Sequence, residues 1–141
     1  MRYDRAVIAY HGTSTTIAKR LLNGEPFTRS TNRTDWLGPG IYFWENGPDR
    51  AARWARERHP SSPCVVGALV QLGNCYDLMD TRFTDELRVA FDLFRLLKAE
   101  KKEALPKNGG KTPDRQLRRL DCAVLNLYFK TLEEDLDDPV Q

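Results

Sequence analysis

The uncharged, β-branched run Ala6-Val7-Ile8-Ala9 leads through Tyr10, His11 and Gly12 straight into a helix-start signal at Thr13-Ser14. The run suits a strand. Ser14 is placed to N-cap a helix whose apolar positions Ile17, Leu21 and Leu22 share a face and which Gly24 stops in a left-handed C-cap. A strand that delivers directly into a helix confines the chain to folds that layer helices on a sheet. It also sets His11 where the strand gives way to the helix, beside a glycine that admits close backbone approach and near free helix amides. A histidine there serves either as a hydrogen-bonded rim residue or as a ligand contact.

A second stretch, Trp36-Leu37-Gly38-Pro39-Gly40-Ile41-Tyr42-Phe43-Trp44-Glu45-Asn46, places two glycines around a proline and then a short aromatic strand over Ile41–Trp44. The polar segment Glu25–Asp35 between the two stretches reads as a surface loop. Asn46-Gly47-Pro48 starts the next helix, with Ala51, Trp54 and Ala55 on one face, arginines on the others and His59 at its end before Pro60. Cys64–Leu72 is nearly all apolar and fits a strand buried on both faces. Thr84 is expected to cap a helix carrying Leu87, Phe91, Phe94 and Leu97 or Lys98, ended by Pro106. Thr112-Pro113-Asp114 starts a last helix with Leu117, Leu120, Val124 and Tyr128 as its stripe, followed by an acidic tail over 132–141. The tail is expected to be disordered or to dock on basic residues.

The expected fold is therefore α+β, a small split mixed β-sheet with flanking helices in one domain spanning the 141 residues. The net charge of +2 is too small to argue for nucleic acid by itself. Arg95–Arg119, with nine basic and three acidic residues, is the one local basic excess. Three cysteines, Cys64, Cys75 and Cys122, contain no paired spacing, so neither a disulfide framework nor a metal site is expected. No apolar run reaches membrane-spanning length and Met1-Arg2-Tyr3-Asp4-Arg5 does not open a signal peptide, which points to a cytoplasmic chain without a membrane partner.

Tyr10-His11-Gly12-Thr13-Ser14, followed by Gly38-Pro39-Gly40-Ile41-Tyr42-Phe43, resembles the first two signature segments of the ADP-ribosyltransferase superfamily. The likeness is to the histidine-tyrosine branch, which holds the poly(ADP-ribose) polymerases, diphtheria-type toxins and many small bacterial transferases. It is greatest to a group of short bacterial proteins with a Trp-Leu-Gly-x-Gly-Ile-Tyr-Phe-Trp-Glu segment. The matching region runs from Val7 to Ala55, with a weaker continuation through Val65 to Asp80. The resemblance implies an ADP-ribosyltransferase-like fold with NAD as co-substrate and no metal. It implies that His11 bonds the nicotinamide-side ribose, that Gly12 offers its backbone to the nicotinamide amide, that Thr13 and Ser14 support the loop, and that Tyr42 stacks on the nicotinamide ring. Asn32, Asp35 and Trp36 would wall the cleft, with Gly40 and Phe43 beside Tyr42.

Active members of that superfamily also carry a glutamate on a later strand, where it stabilises the oxocarbenium-like transition state. No strand-like stretch after Asp80 supplies one. Three alternatives follow: the chain stops before its last strands, the acid comes from elsewhere, or the protein binds without turnover. Glu45 is the nearest acid inside the matched region and is either that group or a rim charge for Arg50 or Arg53. The expected function is mono-ADP-ribosyl transfer to a protein or nucleic-acid acceptor, in a bacterial toxin or defence setting with an antitoxin-like partner. The alternatives are NAD hydrolysis, a silent NAD- or ADP-ribose-binding or interaction module, and an RNA-directed member of the superfamily.

Overall fold

The computed structural model describes residues 4–32, 35–110 and 117–137. The chain forms two compact units, Met1–Arg29 with Ile41–Tyr76 and Ser30–Gly40 with Asp77–Gln141.

The first unit is built on β1 (Ala6–Ser14), α1 (Thr15–Leu22), β2 (Trp44–Glu45), α2 (Pro48–Arg58) and β3 (Pro63–Gln71). The strand order is β2-β1-β3, and both neighbours run antiparallel to β1. The expected mixed sheet is thus corrected: every paired edge is antiparallel. The reason lies in the connection, because β2 and β3 point the same way but β1 lies between them, so α2 crosses over β1 instead of joining adjacent parallel strands. β1 and β3 pair along their whole length, from Ala6 opposite Gln71 to Ser14 opposite Pro63.

Local signals set the helix ends. Ser14 caps α1 by accepting the Ile17 N–H at 3.4 Å. Gly24 follows at φ +89°. Pro48 opens α2, and Ala51 and Ala55 are wholly buried against the sheet. β2 is shorter than the expected Ile41–Trp44 strand. The Tyr42 carbonyl bonds the His11 ring, and Asn46, at φ +51°, turns its N–H onto the Ile8 carbonyl and ends the strand. β3 is not buried on both faces, since Leu69 and its cross-strand partner Ile8 are 76% and 55% exposed. One crossing helix on a three-stranded sheet leaves part of that face open.

The second unit pairs α3 (Thr81–Glu100) with α4 (Arg119–Asp137) around Ala90, Val124 and Leu125. Leu87, Phe91, Phe94 and Lys98 are half-buried, whereas Leu97 stays exposed. The Tyr128 hydroxyl donates to the Glu86 carboxylate and ties the two helices together. α3 begins earlier than a Thr84 cap would have it and ends at Glu100, ahead of Pro106. Asp80 is its cap, accepting the Arg82 N–H at 3.0 Å while the Arg82 guanidinium grips the same carboxylate. The Thr112-Pro113-Asp114 start signal, and with it part of the basic stretch, lies outside the described residues. The start of α4 is instead held by Asn108, whose side chain accepts the Leu120 N–H at 2.9 Å and donates to Asp121. The expected disordered tail is corrected in part, because 132–137 continue α4 and only 138–141 lie outside the described residues.

The Asp80 cap carries a pH dependence. The Arg82 side chain, and then its backbone N–H, hold the Asp80 carboxyl down to about 2 from the usual 3.8. A depressed folded-state value adds stability above the unfolded value and loses it as pH falls through the folded one. Helicity of α3 is therefore expected to fall between about pH 4 and pH 2. Circular dichroism of the wild type against Asp80→Asn checks this, since the variant removes that titration.

Candidate functional site

Strand alternation gives β1 two different faces. Ala9, His11 and Thr13 point to one side, and Tyr10 and Gly12 to the other. α2 covers the Gly12 side so closely that a Cβ built on Gly12 would lie 2.4 Å from the Ala51 carbonyl oxygen and 3.2 Å from the Trp54 ring. Trp44, opposite Tyr10, belongs to this side and meets Trp54 with ring centroids 6.1 Å apart. The glycine in the motif therefore has a packing reason that does not involve a ligand.

His11 stands on the other side, half-buried. Its Nδ1 lies 2.9 Å from the Tyr42 carbonyl oxygen. A carbonyl only accepts, so Nδ1 carries the proton, and in the neutral ring Nε2 presents a lone pair. Phe27 and Phe43 close a triangle of rings with His11, at 5.3 Å and 5.5 Å from it and 5.2 Å from each other. Residue 42 thus reaches His11 through its main chain, while the ring that touches the imidazole from this segment is that of Phe43.

Glu45 pairs with Ala9 and so projects on the His11 side, one rung along the sheet. Diagonal neighbours of this kind are roughly 7–8 Å apart, within reach of a long side chain. Glu45 is solvent-exposed.

Two hollows lie at this site, one lined by His11 and Phe27 and the other by Phe43. The smaller, about 110 Å³, is lined by His11, Thr13, Ile17, Arg20, Glu25 and Phe27, among others. Arg20 Nε donates to Glu25 at 2.7 Å on its rim, and this bond holds the Glu25 carboxyl below the usual carboxylate range. The larger hollow, about 610 Å³, is shallow and lined by residues 43–50, including Glu45 and Arg50.

Of the residues singled out from the sequence, the fold brings the side chains of His11, Thr13, Phe43 and Glu45 onto one face, with the Tyr42 carbonyl beside His11. Ser14 spends its hydroxyl on the α1 cap. Asn32, Trp36 and Gly40 belong to the second unit. There Gly40 pairs with Ser30, and Asn32 is tied into a turn in which its N–H and the Ser30 hydroxyl both donate to Asp35 Oδ2 at 2.7 Å. Trp36 lines an apolar cavity of about 420 Å³ with Leu37, Leu78, Leu87, Phe91 and residues of α4, and Arg118 sits 5.8 Å from its ring.

Phe27 and Arg20 line the site although neither belongs to the two sequence motifs. An aromatic inside the polar loop Glu25–Asp35 was the available signal for Phe27. Arg20 gave none, being an ordinary basic residue in the last turn of a helix. The three cysteines are half-buried and form no disulfide. Among the described residues, no cluster of His, Cys, Asp or Glu is placed to hold a metal ion, and no helix is long and apolar enough to cross a membrane. Compared with protein-family models, curated proteins and solved structures, the chain matches none at a significant level.

Proposed function

We propose that the first unit binds NAD on its His11 face and transfers the ADP-ribosyl group to a macromolecular acceptor, protein or nucleic acid, with release of nicotinamide. The observation that carries this reading is the bond from His11 Nδ1 to the Tyr42 carbonyl at 2.9 Å, which leaves Nε2 as a fixed acceptor for a ribose hydroxyl. NAD supplies a ribose carbon whose leaving group is a pyridinium ring. The Phe27 and Phe43 rings offer flat walls for such a ring, and the half-buried Tyr42 side chain is the stacking surface that the family resemblance implies. Arg20 and Arg50 supply cationic rims for phosphate.

The fit is piecewise. A hollow of about 110 Å³ holds one ring and not a dinucleotide, whose burial takes roughly 300–1,000 Å³. The larger hollow past Phe43 suits the rest of a two-lobed molecule. Glu45, which lines the larger hollow, favours the positive charge that develops on the ribose as nicotinamide leaves. The bound nucleotide itself then excludes water from the carboxylate.

Calorimetry with NAD, paired with an assay of nicotinamide release, tests the proposal. Loss of the His11 acceptor in His11→Ala is expected to weaken NAD binding about tenfold. An unchanged affinity removes His11 from the site, and a wild-type protein that does not bind NAD ends the proposal. One observation favours a second reading, a binding module without turnover: no strand follows β3 among the described residues to bring in a further acid. NAD binding with no nicotinamide release would select it.

A further inference from the structure

α3 carries two apolar faces. Ala90, buried, with Phe91 and Phe94, half-buried, make up one of them, but Val89, Leu93 and Leu96 form a separate stripe at helical spacing and are 68%, 42% and 64% exposed. A helix apolar on two sides has two packing partners, and scattered surface apolars would not recur at this spacing. We propose that this stripe is the interface with a second copy of the chain, and that the two α3 helices pair antiparallel.

The charges beside the stripe specify both the partner and the direction. Along its edge run Asp85, Arg88, Asp92 and Arg95, alternating in sign from one end to the other. All four are exposed, and among the described residues they are held by intrahelical contacts of 3.9 Å (Arg88 to Asp85) and 3.3 Å (Arg95 to Asp92). Reversing the pattern inverts every sign. In an antiparallel pair, Asp85 therefore faces Arg95 of the other copy and Arg88 faces its Asp92, each contact occurring twice by symmetry. Val89 then packs against Leu93 of the other copy. A parallel two-fold pair would instead set this edge against the other flank of the stripe, which carries Glu86 and Leu97 and no alternating charges, so only the antiparallel pair brings the edge onto its own complement. The surface is thus complementary to itself, with no foreign partner needed. One helix-length stripe makes a small interface, so the dimer is a reversible one. The inference is independent of the nucleotide site in the first unit.

Sedimentation velocity of the full chain over a concentration series tests it, and a monomer–dimer equilibrium is expected. Arg88→Asp with Arg95→Asp makes the edge wholly acidic, and Asp85→Arg with Asp92→Arg makes it wholly basic. Each double variant alone is expected to associate at least about tenfold more weakly, and an equal mixture of the two to recover association. Leu93→Gln, which alters no charge, should also weaken the dimer at unchanged helix content by circular dichroism. A wild type that stays monomeric overturns the proposal, as do charge variants that each dimerise like the wild type or a mixture that fails to recover.

Discussion

Gly12→Ala is expected to destabilise the protein by about 3 kcal/mol, the upper part of the overpacking range, and to lower Tm by roughly 10 °C. The added carbon would sit 2.4 Å from the Ala51 carbonyl oxygen. That atom belongs to helix backbone, so the clash is relieved only by lifting α2 off β1. Lifting α2 would uncover Ala51 and Ala55, both wholly buried, and the Trp44–Trp54 contact. Gly67 is the internal control. A Cβ there would meet only the edge of the Tyr10 ring at 3.5 Å, an ordinary contact, so Gly67→Ala should change stability little. Thermal unfolding of both variants decides the point. Equal Tm values for Gly12→Ala and the wild type would mean that α2 does not cross β1 where it is placed.

Glu45→Gln is expected to lower the rate of nicotinamide release about a hundredfold while leaving NAD affinity nearly as it was. The asymmetry follows from when the charge is needed: NAD bound in its ground state has little to gain from a carboxylate beside the ribose, whereas the departing nicotinamide leaves positive charge there. Glutamine keeps the shape and loses the charge, so a folding defect would not mimic the result. Steady-state kinetics separates the outcomes, since a fall in kcat with KM unchanged assigns the role to Glu45. An unchanged kcat would return Glu45 to a rim charge. In that case Arg50, which lines the same hollow, is the residue to examine as its ion-pair partner.

Together the two substitutions read the two faces of one sheet. His11 and Gly12 are neighbours in the chain, yet one is turned to the rings of Phe27 and Phe43 and the other to the backbone of α2. The motif therefore joins the proposed ligand contact to a requirement of the fold, and a substitution at each position acts through a different physical cause.

Most of the element order could be read from the chain because its signals are local. Ser14 as a helix cap, Pro48 at the first turn of α2, the apolar run of β3 and the stripes of α3 and, from Leu120 on, of α4 each act over a few residues, whereas Leu117 stands before α4 and bridges Gly109. The misplaced boundaries also have local causes. Asp80 outcompetes Thr84 as a cap because Arg82 lies within reach of its carboxylate, and Asn46 ends β2 by adopting a left-handed backbone.

What only the tertiary structure decided is everything that depends on cross-strand register. The antiparallel course of both edges, the Tyr42 carbonyl as the partner of His11, the arrival of Phe27 from a polar loop and the projection of Glu45 onto the His11 side all follow from Ala9 standing opposite Glu45 and Ala68. A shift of one residue would send every side chain of the strand to the other face. That choice is made by the sum of distant contacts, α2 against Gly12 above all, and no short stretch of sequence contains it.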